Sequence, residues 1–518
     1  MPIRRRLPLV LCLSCILAGC THQVPRVPSQ ALLPGSSPFG AAIERRAAPH
    51  EGRSGFRLLP NSREAFRARA ELTRAARHSL DLQYYIVHDG LSTQALLAEL
   101  LQAADRGVRV RLLLDDTASD GKDYQIAVLA AHPNIEVRVF NPLHLGRKFG
   151  VTRTLSRLLN LSRQHRRMHN KLWLADNSAA IVGGRNLGDE YFGVERGLNF
   201  TDIDLLGVGP VAAQLGESFD QYWNSALSKP IQQFVWRVPS TEALDELRAT
   251  VNARLDEARR TQLPLYDRLM AYRQDPQLQT WLQELIWAHG QALWDAPSKV
   301  LARDVPDPHL LLTTQLAPHL AQAKQELMLI SAYFVPAREG LDYLTRRADE
   351  GVHIRLLTNA LEATDVPAVH GGYAPYRATL LAHGIRLFEL RRQPDENPNY
   401  SLSGSSESSL HSKAMIFDRQ KVFIGSFNFD PRSVLWNTEV GVVVDSPQLT
   451  AAVRALTEQG MAPTVSYEVR LAPAGNAGQL VWIAEDQGRP IVLEQEPGGF
   501  WRHFNAWLAE AVGLERML

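Results

Sequence analysis

His169-Asn170-Lys171-Leu172-Trp173-Leu174-Ala175-Asp176, followed by Ile181-Val182-Gly183-Gly184-Arg185-Asn186, decides the fold because the chain carries it twice. The second copy reads His411-Ser412-Lys413-Ala414-Met415-Ile416-Phe417-Asp418, followed by Phe423-Ile424-Gly425-Ser426-Phe427-Asn428. His, Lys, Asp, Gly and Asn keep the same offsets, 242 residues apart. The chain has only eight lysines, and two of them occupy these matched contexts, which chance does not explain.

Residues i and i+2 of a strand point the same way, so His169 projects with Lys171 and His411 with Lys413. Asp176-Asn177-Ser178 and Asp418-Arg419-Gln420 are turn-like, and an apolar strand follows each. Folding each copy as a hairpin returns Asn186 opposite His169 and Asn428 opposite His411. Gly183, Gly184 and Gly425, with the small Ser426, let ligand or backbone approach closely. Asp176 and Asp418, at the turn tips, read as structural.

Doubled His, Lys and Asn suit a phosphate diester. Lys171, Lys413, Asn186 and Asn428 make a donor-rich cationic cradle for the non-bridging oxygens. Two histidines supply a nucleophile and a general acid. One attacks phosphorus to form a phosphohistidine, and the other protonates the departing alcohol and then activates the incoming alcohol or water. Lysine supplies the positive charge, so the chemistry needs no metal and no cofactor. A histidine nucleophile needs an acid to fix its tautomer. Aligning Gly209-Pro210 with Ser446-Pro447 pairs Asp202 with Glu439, the two candidate orienters.

Around these motifs the chain repeats more loosely. Arg63–Arg77 has an amphipathic helical pattern, Ser79–Val87 reads as a strand, Ser92–Asp105 as a helix and Val108–Leu114 as a second strand. Strand, helix, strand at this spacing is a βαβ unit. The order recurs from Leu327 through Asn359, and Arg106-Gly-Val-Arg-Val-Arg-Leu-Leu113 matches Glu350-Gly-Val-His-Ile-Arg-Leu-Leu357. The expected class is α/β: two domains, each a mixed sheet flanked by helices, related by a pseudo-twofold axis. At 518 residues the chain exceeds one ordinary core. The expected divisions are a first domain at 56–225, a helical connector at 226–307, a second domain at 308–460, and a C-terminal hairpin and amphipathic helix at 461–518. On that last helix Phe500, Phe504, Trp507 and Leu508 share a face, which suits either core packing or a membrane interface.

All three cysteines, Cys12, Cys15 and Cys20, fall in the first twenty residues. Arg4-Arg5-Arg6, an apolar run from Leu7 to Leu17 and Ala18-Gly19-Cys20 have the form of a secretory signal. The run is shorter than the roughly 20 residues a membrane span needs. Residues 1–20 are therefore read as a signal peptide. The Pro, Ser, Gly and Arg-rich residues 21–55 are read as a flexible tether. The net charge of +1 argues against a dedicated nucleic-acid binder. Arg147–Arg167 is dense in arginine and apolar residues and could rest on anionic headgroups. The Gly/Ser-rich loop 401–409, with Asp365, His370 and Tyr373, is a candidate acceptor pocket.

These motifs resemble the phospholipase D superfamily, whose double His-x-Lys-(x)4-Asp-(x)6-Gly-[Gly/Ser]-x-Asn pattern is matched in full at both sites. Within it, Leu80-Asp-Leu-Gln-Tyr-Tyr-Ile86, Ile330-Ser-Ala-Tyr-Phe-Val-Pro336 and Gly425-Ser-Phe-Asn-Phe-Asp-Pro-Arg-Ser433 resemble bacterial cardiolipin synthases. The resemblance implies two phospholipase D-like domains sharing one active site, with His169 as nucleophile and His411 as acid/base. It implies phosphatidyl transfer to phosphatidylglycerol, from phosphatidylglycerol or phosphatidylethanolamine. A phospholipase D hydrolase releasing phosphatidic acid is the alternative, and a nucleic-acid phosphodiesterase a more distant one. Leu17-Ala18-Gly19-Cys20 resembles a bacterial lipobox, which implies lipidation of Cys20. That would place the enzyme in the cell envelope, anchored on the periplasmic side of the inner or outer membrane.

Overall fold

The computed structural model describes residues 25–119, 121–143, 165–195, 198–392, 408–472 and 479–511. The signal sequence with Cys20, residues 147–164 of the arginine-rich stretch and residues 401–407 of the Gly/Ser loop lie outside the described residues.

In the first half, strands Ser79–Tyr84, Arg109–Asp115 and Ile135–Phe140 run parallel, linked through helices Leu91–Asp105 and Asp123–Leu129. Ser79–Tyr84 also pairs antiparallel with Leu172–Ala175, whose hairpin partner is Ala179–Gly183. Asp204–Val208 and Ser54–Leu59 extend the sheet antiparallel. The second half repeats this order with parallel Glu326–Ser331, His353–Asn359 and Arg386–Leu390, hairpin Lys413–Phe417 with Lys421–Gly425, and Val440–Asp445. The expected α/β duplication is what the chain builds.

Alternation along the strands decides the packing. Leu172, Leu174, Ala180 and Val182 join Met328, Ile330, Ala414, Ile416, Val422 and Ile424 in one core shared by the halves. Their neighbours Trp173, Ala175, Ala179 and Ile181 point to the first half's own core, and Leu327, Leu329, Met415, Phe417 and Phe423 to the second's. Both faces of each hairpin are covered, which is why these strands read as nearly unbroken apolar runs.

Three divisions drawn from the sequence need correction. Residues 21–55 are not all tether: Ala31 N–H donates to Asp220 at 2.7 Å, Asn177 donates to the Leu32 carbonyl at 2.7 Å, and Pro38–Ala47 is a helix that buries Phe39 and Ile43. Two apolar side chains among Pro, Gly and Arg gave too weak a period to see. The connector is not purely helical. After helix Thr241–Thr261 it forms strand Ile286–Trp294, which pairs with Ser54–Phe56 through Ile286–Ala288 and with Val440–Asp445 through His289–Trp294. One strand thus fuses the two sheets. The C-terminal hairpin Leu480–Asp486/Arg489–Leu493 is not a separate unit either, because Ser466–Leu471 ties it to Arg386–Leu390.

At both motif turns two consecutive residues sit at positive φ: Asp176 and Asn177 at 49°, Asp418 at 50° and Arg419 at 59°. Two consecutive positive φ values are the mark of a type I′ turn, closed here by the Ser178 and Gln420 N–H groups on the Ala175 and Phe417 carbonyls, with three residues between the paired strand ends. The Asp176 carboxylate accepts the N–H groups of Arg77, His78 and Ser79 at 3.0, 2.9 and 2.8 Å and the Ser37 hydroxyl at 2.6 Å. Asp418 likewise accepts from Lys324, Gln325 and Glu326 at 2.8, 2.7 and 2.9 Å. Each aspartate fixes the main chain where it enters the first parallel strand of its half, at the hairpin end away from its histidine. Asp176→Ala leaves the buried Ser79 N–H and Ser37 hydroxyl unpaired, along with the half-buried N–H groups of Arg77 and His78, and should lower the unfolding free energy by about 3 kcal/mol. The measurement is a urea titration, and an unchanged midpoint would contradict the anchoring role.

Candidate active site

The two histidines emerge where the halves interlock. Asn199–Thr201 pairs parallel with Ser408–Leu410, and Met168 forms the matching bridge to Thr438. The His169 N–H donates to the Thr438 carbonyl at 2.9 Å, and the His411 N–H to the Thr201 carbonyl at 2.8 Å. Main-chain bonds therefore set each histidine against the other half, next to the acid that follows the threonine.

The side chains cross in the same way. His169 Nδ1 lies 2.9 Å from Glu439 Oε2, and His411 Nδ1 lies 2.8 Å from Asp202 Oδ2. Each acid thus faces the histidine of the opposite half. An Nδ1–H held by a carboxylate leaves Nε2 as the lone-pair nitrogen. Glu439 also accepts the Ser433 hydroxyl at 2.9 Å and the Ser426 hydroxyl, and its own N–H donates to Asp295 at 2.9 Å. Asp202 accepts the Ile203 N–H at 2.8 Å. A Cβ on Gly184 would lie 2.4 Å from Asp202 Oδ2, and one on Gly183 would lie 2.0 Å from Asp204 Oδ1. Glycine is needed at both positions because carboxylates pass over the backbone there. At Ser426, the position matching Gly184, the side chain instead bonds the acid.

Lys171 Nζ donates to the His169 carbonyl at 2.6 Å, and Lys413 to the His411 carbonyl. All six of these side chains are buried. Burial, reinforced by the two lysines, holds both imidazoles well below the ordinary histidine range. Burial also lowers both lysines, against the attraction of Asp202 and Glu439. It pushes Glu439 up to about 7 and raises Asp202. The common cause is desolvation, which disfavours separated charges, so each crossed pair is poised to share one proton.

The asparagines are not equivalent. Asn186 Oδ1 accepts the Ile86 N–H at 3.2 Å and its Nδ2 donates to the Tyr191 hydroxyl at 3.0 Å, so much of this amide is spent within its own half. Asn428 Oδ1 is buried without a protein partner.

Several residues the motif reading missed complete the cleft. Tyr85 lies edge-on to His169 at 5.1 Å and 5.3 Å from the Lys171 ammonium. Tyr191 and Phe200 flank His411 at 5.3 and 4.9 Å. Tyr85 follows directly on a parallel strand's carboxyl end, the usual place for ligand contacts in open α/β sheets, and that was its sequence signal. Asn170 Oδ1 accepts the Thr438 hydroxyl at 2.8 Å, locking the interlock, and no spacing pattern announced it.

Of the three residues suggested for an acceptor pocket, only Asp365 faces the cleft. It accepts the Tyr333 hydroxyl at 2.7 Å, and its charge reaches His411 and Lys413. Tyr373 is buried against Phe334. His370 meets Glu496 at 2.6 Å, and Glu389 joins them in a trio of potential metal ligands. The guanidinium of Arg377 contacts both carboxylates, so the trio already holds a cation.

A family profile described as "Cardiolipin synthase, PLD-like domain" matches residues 70–223 and 316–460, one segment for each half. Cardiolipin synthase C of Escherichia coli (strain K12) is 37% identical over 490 residues, covering 93% of this chain and 99% of that protein. Cardiolipin synthase A of Pseudomonas aeruginosa (strain LESB58) is 24% identical over 428 residues, covering 82% of this chain and 71% of that protein. Among solved structures, phosphatidylserine synthase of Haemophilus influenzae Rd KW20 has a TM-score of 0.56 at 13% identity, covering 92% of this chain and 100% of that one, a likeness of fold. Each matched segment carries one His-x-Lys copy and one acid of the crossed pairs, and together with the full-length similarity they place the chain in the phospholipase D-like cardiolipin synthase family.

Proposed function

We propose that the chain is a phosphatidyltransferase of the phospholipase D type that makes cardiolipin by phosphatidyl transfer to phosphatidylglycerol. The observation that carries this reading is the pair of crossed histidine–acid contacts, each beside a buried lysine. Similarity to Escherichia coli cardiolipin synthase C over nearly both full lengths supports the choice of lipid. His169 Nε2 attacks the phosphorus of phosphatidylglycerol or phosphatidylethanolamine, with its Nδ1 proton directed at Glu439. His411 gives a proton to the departing headgroup oxygen, and the phosphatidyl group stays on His169. The headgroup alcohol leaves. The hydroxyl of an incoming phosphatidylglycerol then loses its proton to His411 and attacks phosphorus, which frees His169.

The protonation states fit this order. Desolvation and two lysines hold His169 neutral, so its lone pair is available without a separate base. The same forces disfavour a proton on His411. A bound phosphodiester brings a negative charge against Lys171 and Lys413, which reverses the local sign and favours the protonated imidazole that a general acid requires. Lys171, Lys413 and the Asn428 amide are the proposed phosphate donors, with Asn186 contributing through its remaining N–H. Cleavage and lipidation at Cys20 would hold the enzyme to the periplasmic side of the inner or outer membrane. Among the described residues no helix is long and apolar enough to cross a membrane.

The deciding assay feeds labelled phosphatidylglycerol to the purified chain, with and without phosphatidylethanolamine. Labelled cardiolipin is the expected product, and phosphatidic acid alone would make the chain a hydrolase. His169→Ala and His411→Ala should each lower turnover by about 1,000-fold or more, since neither half holds a complete site. Glu439→Gln and Asp202→Asn, which keep size but weaken tautomer control, should cost about 100-fold. Substantial activity in either alanine variant would sink the shared-site reading. Lys413→Met removes a cation beside His411, so the His411 titration midpoint should move up in NMR. A midpoint that stays put or falls would count against lysine as the cause of the depression.

A further inference from the structure

The C-terminal helix Phe500–Ala511 is packed the wrong way round for a core helix. It buries Ala506 and Ala509 and leaves Phe500, Trp501, Phe504, Trp507 and Leu508 exposed at 74%, 71%, 39%, 59% and 42%. Helices ordinarily bury their large apolar stripe. The cause is the seat: a Cβ on Gly371 of helix Pro367–Tyr373 would lie 2.2 Å from the Ala506 carbonyl oxygen, so the two helices touch backbone to backbone. Only small side chains fit between them, and the aromatic side must face outward. Its rings form a ladder, Phe500 to Trp501 at 5.4 Å, Trp501 to Phe504 at 6.0 Å and Phe504 to Trp507 at 6.0 Å. Among the described residues, four of the five exposed Phe and Trp side chains lie on this one helix.

The helix is also fastened to the active-site rim. Arg502 donates to the carbonyls of Leu361 and Thr364 at 3.0 and 2.6 Å. The segment that carries them begins at Asn359, whose side chain accepts the Leu410 N–H and donates to the Leu410 carbonyl, one residue before His411. It ends at Asp365, whose charge reaches His411 and Lys413. One short segment thus has the proposed chemistry on one side and the aromatic ladder on the other. Beside Phe500 and Trp501, Arg392 and Arg502 line an open depression of about 580 Å³ that contains a single acid, Glu362.

We propose that this helix is the enzyme's bilayer-docking face. Phe500, Trp501, Phe504 and Trp507 would enter the headgroup–acyl boundary, with the positive charge of Arg392 and Arg502 beside them favouring an anionic surface, so that the substrate headgroup can reach the cleft. This rests on the proposed lipid substrates, whose acyl chains stay in the bilayer while the headgroup reaches the histidines. Trp and Phe beside arginine is the composition of an interfacial helix, in which indole sits at headgroup level and guanidinium meets phosphate. A protein partner or a second copy of the chain would give no reason for the face to be tied to the segment that carries Asn359 and Asp365.

The test compares the full chain with Phe500→Ser/Trp501→Ser/Phe504→Ser/Trp507→Ser. On vesicles of phosphatidylethanolamine and phosphatidylglycerol the variant should lose about tenfold or more in turnover, and on monomeric short-chain phospholipid it should stay within about twofold. In vesicles with brominated acyl chains, tryptophan fluorescence of the full chain should be quenched, and Trp501→Phe/Trp507→Phe should lose most of that quenching. Unchanged vesicle turnover with unchanged quenching overturns the proposal. So does equal loss on both substrates, which would make the face structural. A dimer that dissociates in the four-serine variant, read by sedimentation, would assign the face to a second copy and likewise overturn it. If the unaltered chain turns over neither substrate while Trp501 and Trp507 are still quenched, docking stands and the proposed reaction fails.

Discussion

Each histidine takes its acidic partner from the other half of the chain, and much of the architecture follows from that exchange. A carboxylate buried beside an imidazole is stable only if their separation is held to hydrogen-bonding distance, because an unpaired buried charge is costly. The fold meets this demand with main chain. Met168 bridges to Thr438, and Asn199–Thr201 pairs with Ser408–Leu410, so the N–H of each histidine is bound one residue away from the acid its ring meets. The shared apolar core and the fused sheet hold the interlock in register.

The cleft gathers more positive charge than its acids fully balance. Lys171 and Lys413 are buried together beside two imidazoles, and the crossed acids offset them only in part. In the proposed reaction a phosphodiester would supply negative charge where the two lysines lie. Binding and proton placement would thereby be linked, because the proposed ligand that relieves the repulsion would also favour a protonated His411. Tyr85, Tyr191 and Phe200 close off the sides of the rings, which keeps permittivity low and those effects large.

The duplicated hairpins and the βαβ order were legible because each carries a period that physics enforces, alternation along strands and glycine where backbone turns or approaches closely. Asp202 and Glu439 could be found by aligning the two Gly/Ser-Pro helix starts, but their crossing could not. A sequence offset says which residues correspond and not which half they face. Helix Pro38–Ala47 escaped notice because two apolar anchors suffice when the body supplies the rest of the contact. Strand Ile286–Trp294 was hidden by Gly290 and His289, and its conformation is imposed by edge strands distant in sequence. The final helix kept both of its readings open because amphipathicity reveals a stripe without saying whether protein or lipid covers it.

Strand Ile286–Trp294 also bears on how the enzyme tolerates change. It pairs three residues with the first sheet and six with the second, so neither half can rock against the other without breaking a ladder of main-chain bonds. Main-chain bonds do not depend on side-chain identity. Core substitutions in either half should therefore spend stability long before they shift one histidine relative to the other. Sequence drift in the packing layers is decoupled from alignment of the reacting groups, which leaves the cores free to diverge while the geometry between the halves is kept.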